Sequence, residues 1–117
     1  MKNLDKNTDT VITITPSNRS PWFNMVSKDD NGIVSVLLNG KEISRRQESP
    51  EVFDITTVAY VSKPLFILNS SSIWDGSVKG VLIPKKRALD IDDSFDFLIA
   101  SHLIKERKDL LKAKVIR

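Results

Sequence analysis

The stretch from Arg87 to Ile104, RALDIDDSFDFLIASHLI, constrains the fold most, because an extended acidic segment passes directly into a helix. Asp90 and Asp92 are flanked by the apolar residues Leu89 and Ile91, so both carboxylates point to the same side of an extended chain. Oxygen ligands in this arrangement suit a hard divalent cation such as Mg²⁺ or Mn²⁺. We therefore predict that Asp90 and Asp92 bind one metal ion.

The start of a helix offers a second explanation for part of this acidic cluster. Asp92 or Asp93 can cap the helix that follows, and Asp96 favours its positively charged first turn. Asp90 has no such helical role. The sequence leaves both interpretations open.

Short β-branched runs and turn signals precede the helix and predict a small mixed sheet. The predicted strands are Val11–Thr15, Val52–Val61 and Val78–Ile83, with a short helix at Pro64–Asn69. The last helix is predicted over Ser94–Lys112, with a buried stripe at Phe95, Leu98, Ile99, His102 and Leu103. The predicted fold class is α/β, a small mixed sheet with a long C-terminal helix.

Residues 20–50 contain a predicted β-hairpin. Asn31-Gly32 supplies the positive φ that the turn needs, between the segments Trp22–Lys28 and Ile33–Leu38. This hairpin carries more large apolar side chains than a two-stranded projection can cover by itself. We expect it to form a homodimer with a second copy of the chain; the alternative is that it folds back on its own domain.

Composition fits one small domain over residues 1–117, since 40% of the residues are hydrophobic. The chain has no cysteine, which excludes disulfides and thiolate metal sites. We expect a cytoplasmic location, because there is no signal-peptide pattern and no apolar run near the ~20 residues that span a bilayer. The basic tail Lys105–Arg117 complements a helix C-terminus, and its lack of interleaved aromatic residues makes nucleic-acid binding an unfavoured alternative.

Two sequence blocks resemble one enzyme family. DIDDSFDFLIASHLI, which begins at Asp90, is similar to the DIDTELDFKIAE signature of the CMP-sialic acid synthetases, or acylneuraminate cytidylyltransferases. RRQESPEVFDITTVAYV, from Arg45 to Val61, resembles that family's RRQ..PEVY...GAIYI block and precedes the acidic block, as it does in the family. DTVITITPSNRSPWFNMV is similar in character to the family's DSVISV...HPYWM strand and loop. The resemblance runs from Asp9 to about Glu106 and corresponds to the C-terminal half of a cytidylyltransferase.

The resemblance implies part of a nucleotide-diphospho-sugar transferase-like fold, a dimer through the hairpin arm, and a divalent ion on Asp90 and Asp92. It also implies that Arg46 and Gln47 bind the acidic sugar. The Arg46 guanidinium can make paired hydrogen bonds to a sugar carboxylate.

Two details of the second block allow other interpretations. Arg46 can instead lie in an exposed turn and bridge to Glu48 or Glu51, at little energetic value. Sialic acid members often carry Asn-Gly where this chain has Thr56-Thr57. The substitution points to another nonulosonic acid or to a copy that no longer binds sugar.

One motif of the family, the loop that binds the CTP phosphates, is not found in this sequence. Full family members hold the CTP phosphates with a loop of the PARxGSKxxxxKN type, and none of the four glycines here lies in such a loop. We expect a free-standing dimeric binding or structural module without catalytic residues of its own. The alternative is half of a split CMP-nonulosonate cytidylyltransferase, completed by a partner chain that carries the CTP-binding half. Without that half, we expect Val11–Thr15 to have an unpaired edge.

Overall fold

The computed structural model describes residues 2–38 and 50–115, and for 113–115 the backbone alone. The helices and strands of this part are β1 (Thr10–Pro16), β2 (Val26–Lys28), β3 (Val34–Val36), β4 (Phe53–Ser62), α1 (Pro64–Asn69), β5 (Val78–Leu82) and α2 (Ser94–Val115). Short 3₁₀ turns lie at Ile73–Asp75 and Lys85–Arg87. The predicted α/β class, with a small sheet and a C-terminal helix, is confirmed.

The chain divides into two compact units. The first unit combines Met1–Thr15 with Ile55–Arg117, and the second is Pro16–Asp54. The second unit contains the hairpin of β2 and β3, within the region predicted to form an arm. The expectation of a single domain stays a prediction.

The main sheet has the strand order β4-β1-β5. β1 and β5 are parallel, in a register that runs from Thr10 opposite Val78 to Ile14 opposite Leu82. The hydrogen bonds at the two ends of the pair show that β4 runs antiparallel to β1. The Lys63 amide donates to the Asp9 carbonyl at one end, and the Ser17 amide donates to the Val52 carbonyl at the other. The expected unpaired edge of Val11–Thr15 is therefore wrong: two strands that follow later in the sequence flank β1 on both sides.

The core of the first unit is small and lies on β1. In the part of the chain that the structure describes, Val11 and Ile12 are the buried hydrophobic residues, with 6% and 4% exposure. Threonines occupy most of the other buried positions, namely Thr8, Thr10, Thr15 and Thr56. Many large apolar side chains on β4, β5, α1 and α2 therefore remain exposed to solvent.

The long helix α2 extends the predicted helix by three residues and packs differently from the prediction. Ile99, Ala100 and Leu103 are half-buried. Phe95 and Leu98 are each 66% exposed, and His102 is also exposed, so the predicted buried stripe is wrong at these three positions. None of the described helices is long and apolar enough to cross a membrane.

The hairpin of the second unit has the predicted turn. Val26 pairs with Val36 and Lys28 with Val34 across the antiparallel strands. The turn closes with Gly32 at φ 83°, a conformation that glycine adopts without steric cost. Asp29 fastens the turn by accepting hydrogen bonds from the amides of Asn31 and Ile33, both at 2.9 Å.

Candidate functional site

The parallel pair β1 and β5 ends shortly before the acidic segment in the sequence. The amide of Ile83 donates to the carbonyl of Ile14 at 2.9 Å and so continues the pairing just past the end of β5. The carboxyl ends of parallel strands lie at the same sheet edge, where α/β proteins commonly bind ligands. The chain reaches Asp90 eight residues after Leu82, the last residue of β5.

A 3₁₀ turn shapes the path between β5 and the acidic segment. The amide of Arg87 donates to the Pro84 carbonyl at 2.9 Å, and the amide of Ala88 donates to the Lys85 carbonyl at 3.1 Å. The Lys86 ammonium lies 3.2 Å from a Glu106 carboxylate oxygen on α2. Both side chains are largely exposed, so this ion pair contributes well under ~1 kcal/mol. The pair nevertheless joins the turn to the helix.

The start of α2 uses two of the four nearby carboxylates. Asp93 precedes the first helical residue, and its side chain accepts the amide hydrogen of Asp96 at 2.8 Å. The Asp96 carboxylate in turn accepts the amide hydrogen of Asp92 at 3.1 Å. The first of these bonds satisfies an amide donor that a helix start otherwise leaves unpaired, and the second fixes the residue before the cap. The sequence allowed either Asp92 or Asp93 as the cap, and the structure assigns the cap to Asp93.

The side chains of the two predicted metal ligands remain available. Asp90 and Asp92 are exposed, and neither carboxylate forms a hydrogen bond or ion pair with another described residue. Their oxygen donors fit Mg²⁺ or Mn²⁺ in chemical type. Within residues 2–38 and 50–115, however, no three His, Cys, Asp or Glu side chains cluster as a ready metal site. A cation here would need water or phosphate as further ligands, as Mg²⁺ commonly has.

The predicted sugar-binding residues cannot be placed beside the acidic pair. Arg46 and Gln47 lie outside the residues that the structure describes. Their assignment to a sugar carboxylate stays a prediction.

A buried hydroxyl network, which the sequence analysis did not identify, joins β1 to β4. Thr56 is 3% exposed, and its hydroxyl group hydrogen-bonds to that of Thr13. The Thr13 hydroxyl also accepts the amide hydrogen of Ala59 at 3.2 Å. Thr56 is the first residue of the Thr56-Thr57 pair, so this pair contributes a cross-strand contact. Alternating threonines in VITIT were the available signal.

One polar atom close to this network has no partner. The Thr15 hydroxyl is buried and forms no hydrogen bond within the described part of the chain. A buried hydroxyl without a partner costs about 1–3 kcal/mol. Thr13 and Thr15 are two residues apart on β1 and therefore share one face of the sheet.

The comparisons with known proteins point to the same family as the two sequence blocks. No family model matches this chain. The chain is 30% identical over 106 residues to "Post-translational flagellin modification protein B" of Campylobacter coli, a match that covers 91% of this chain and 43% of that protein. It is also 30% identical over 96 residues to "CMP-N,N'-diacetyllegionaminic acid synthase" of Campylobacter jejuni, with 80% and 39% coverage. The chain thus spans about two fifths of the length of these curated relatives. Together the two matches support a relationship to the sialic-acid-type cytidylyltransferases, over part of the length of those proteins.

Proposed function

We propose that this chain is a cytidylyltransferase-like module that dimerises, keeps a divalent-cation or acidic-sugar site, and transfers no cytidylyl group by itself. The observation that carries this proposal is the match to about two fifths of each relative, in a sequence that has no loop of the CTP-binding type. In the complete reaction, the anomeric hydroxyl of an acidic nine-carbon sugar attacks the α-phosphate of CTP, and pyrophosphate leaves. Positioning supplies most of the rate in such reactions, so we expect these 117 residues to need a segment that holds the triphosphate before they take part in cytidylyl transfer.

The metal part of the proposal rests on Asp90 and Asp92. Asp93 and Asp96 already accept backbone hydrogen bonds at the start of α2, whereas the first two carboxylates are exposed and unpaired among the described residues. A bound divalent ion would neutralise phosphate charge. With two protein ligands, we expect a dissociation constant for Mg²⁺ on the order of 1 mM.

Thermal unfolding of the wild-type chain tests this metal site. At that affinity, 10 mM Mg²⁺ stabilises the folded chain by about 1.4 kcal/mol, which raises the melting temperature by about 5 °C. We expect the double variant Asp90→Asn, Asp92→Asn to lose this shift. The matched control Asp93→Asn, Asp96→Asn removes the same charge and should keep it. The same rise in melting temperature in the Asp90→Asn, Asp92→Asn variant would contradict the metal proposal.

The sugar part of the proposal rests on Arg46 and Gln47, and it can be tested with N-acetylneuraminic acid as a probe. We expect Arg46→Lys to weaken binding of the sugar, because an ammonium cannot make the paired hydrogen bonds that the guanidinium makes to the sugar carboxylate. Titration calorimetry of wild type and Arg46→Lys measures this difference. Equal binding by both proteins, or no binding by wild type, would contradict this role for Arg46.

The dimer part of the proposal is supported by one face of the hairpin. Val26 and Val36 form a cross-strand pair, and Val34 lies on the same face two residues away. The three valines are 45–57% exposed and form an apolar surface for a second copy of the arm, beside Lys28, which pairs with Val34 on the same face. Ser27 and Ser35 pair on the opposite face, with their hydroxyl oxygens 3.3 Å apart.

Light scattering on variants of the hairpin tests this interface. Val36→Lys with Leu38→Lys should convert a dimer into a monomer, since charges would enter the apolar face. Ser35→Lys adds a charge to the opposite face and is the control that should remain dimeric. An unchanged mass in the first variant would place the interface elsewhere, or indicate that the hairpin folds back on its own domain.

A second candidate function is that of one half of a two-chain cytidylyltransferase. The observation in its favour is the exposure of apolar side chains around the sheet of the first unit. Leu65, Leu68 and Trp74 are 74%, 79% and 62% exposed, although side chains of this kind are usually covered in a complete domain. A partner chain that carries the CTP-binding half would cover them and supply the triphosphate.

Co-purification distinguishes the two candidates. The chain is co-expressed with a polypeptide that corresponds to the unmatched part of the Campylobacter jejuni relative, and CTP-dependent release of pyrophosphate is measured with an acidic nine-carbon sugar. Activity of the pair, but not of either chain alone, would establish the two-chain enzyme. No complex and no activity would favour the non-catalytic module.

A further inference from the structure

The turn between β2 and β3 carries the dipeptide Asn31-Gly32 at an open position. Asn31 is exposed to solvent. A side chain built at Gly32 would meet no atom within 4 Å apart from its chain neighbours. Glycine also lacks a Cβ atom, so its amide nitrogen is less hindered than that of any other residue. The two residues therefore meet the steric requirements for a reaction between the Asn31 side chain and the Gly32 amide.

Hydrogen bonds to Asp29 hold this turn closed. The Asp29 carboxylate accepts the amide hydrogens of Asn31 and Ile33, both at 2.9 Å. The Asp29 carbonyl accepts the amide hydrogen of Gly32 at 3.1 Å. The Gly32 amide is the group that would react with the Asn31 side chain, and in the closed turn it is already engaged. The closed turn therefore restrains the reaction, and local opening of the turn permits it.

We propose that Asn31 is a site of spontaneous deamidation and that the Asp29 side chain sets its rate by holding the turn closed. In this reaction the Gly32 amide nitrogen loses its proton to hydroxide and attacks Cγ of Asn31. The bond between Cγ and the side-chain nitrogen breaks, and that nitrogen takes up a proton and leaves as ammonia. A five-membered imide ring remains between the two residues. No atom is oxidised or reduced, and the only co-reactants are hydroxide and water.

Water then opens the imide ring at one of its two carbonyl carbons. Cleavage of the bond between Cγ and the ring nitrogen gives aspartate, with the main chain unchanged. Cleavage of the bond between the main-chain carbonyl carbon and the ring nitrogen gives isoaspartate, whose main chain runs through Cβ and Cγ. Water reaches the ring because residue 31 is exposed. Either product adds a negative charge to the turn at neutral pH.

The isoaspartate product should loosen the hairpin. The native turn places Gly32 at φ 83° and brings Lys28 opposite Val34. An additional main-chain carbon atom at residue 31 displaces the Ile33 amide from the Asp29 carboxylate, and the register of a hairpin depends on the geometry of its turn. This chemistry does not depend on the proposed function, since no cation, sugar, CTP or second copy of the chain takes part in it.

Peptide mapping by mass spectrometry, after storage of the folded chain at mildly alkaline pH, tests the site. Trypsin cleaves after Lys28 and Lys41, and fragment ions of the peptide between them distinguish Asn31 from Asn39, which is also followed by glycine. We expect Asn31 to deamidate faster than Asn69, which is exposed as well but is followed by serine. The rate should rise with pH, because the attacking group is the deprotonated amide. An unchanged Asn31, or one that reacts no faster than Asn69, would overturn the proposal.

A matched pair of variants tests the role of Asp29. Asp29→Ala removes two hydrogen bonds from the turn, and each net hydrogen bond changes an opening equilibrium about fivefold, so deamidation of Asn31 should become about tenfold to thirtyfold faster. Asp30→Ala removes the same charge beside Asn31, but the Asp30 carboxylate accepts no hydrogen bond within the described part of the chain. Its rate should stay close to that of wild type. Equal acceleration in the two variants would indicate an effect of charge alone and contradict the role of Asp29.

Unfolding in concentrated urea separates the effect of the folded turn from that of the local sequence. Wild type and Asp29→Ala should deamidate at equal rates in urea, and both should react faster than folded wild type, because the closed turn is lost in both. If Asp29→Ala reacts faster than wild type in urea as well, the proposed protection by the folded turn is wrong. Circular dichroism before storage verifies that the variants are folded. If Asp29→Ala does not fold, Asp29→Asn, which keeps one oxygen acceptor, should give a rate between those of wild type and the unfolded chain.

Discussion

Replacement of Ile12 by alanine should be among the most destabilising single changes in the first unit. Ile12 is 4% exposed on the central strand β1, and the substitution removes three buried carbon atoms. At about 0.8 kcal/mol for each buried methylene, the transfer part is about 2.4 kcal/mol, and the cavity brings the total to about 3 kcal/mol. Ile12→Val removes one methyl group and should cost about 1 kcal/mol.

Leu82→Ala is the matched control, because it removes the same number of carbons from the neighbouring strand. Leu82 is 59% exposed, so the substitution loses about two fifths of the transfer free energy of a buried side chain, or about 1 kcal/mol. With a urea m-value of about 1.5 kcal/mol per molar, the midpoint should fall by about 2 M for Ile12→Ala and by about 0.7 M for Leu82→Ala. Equal shifts for the two variants would refute the reasoning, because Leu82 would then be covered in solution.

Three further changes probe local features of the fold. Asp93→Ala removes the acceptor for the Asp96 amide and should lower the free energy of unfolding by about 1 kcal/mol, measured by urea titration, whereas Asp93→Asn should have little effect. Gly32→Ala places a side chain at φ 83° with no other atom within 4 Å, so it should cost about 1 kcal/mol through backbone strain alone. The hydrogen bond from Lys79 lowers the pKa of Asp5 from 3.8 to about 2. The ionised Asp5 carboxylate therefore stabilises the fold above about pH 4, and this stabilisation is lost as the pH falls towards 2. Melting curves of Asp5→Asn should not show this loss.

Local signals in the sequence predicted most of the helices and strands. Pro64 in the first turn gives α1 its predicted bounds, and the Asn31-Gly32 pair forms its turn where expected. The 3₁₀ turn at Ile73–Asp75 was missed, because three residues show no periodicity. Its signal was Ser72 followed three residues later by Asp75, which together form a capping box.

Spatial arrangement was harder to predict than local structure. The apolar spacing of Phe95 and Leu98 shows that a helix can bury a face, but it does not show whether anything covers that face. In the same way, the sequence order of the strands does not reveal that β1 lies between β4 and β5. For the candidate site, the acidic pair and its capping alternative were visible in the residues. The assignment of the cap to Asp93 depends on backbone geometry.

The position of β4 at one edge of the sheet has a consequence for handling the protein. Ile55–Val61, ITTVAYV, contains no charged residue, proline or glycine, and most of its residues are β-branched or aromatic. Such a segment is prone to amyloid-like stacking once it is detached from its neighbours. Asp54 and Lys63 flank it with single charges, which act as gatekeepers against this stacking. Conditions that loosen β4 from β1 would therefore lead to fibrils before complete unfolding, and thioflavin fluorescence would detect them.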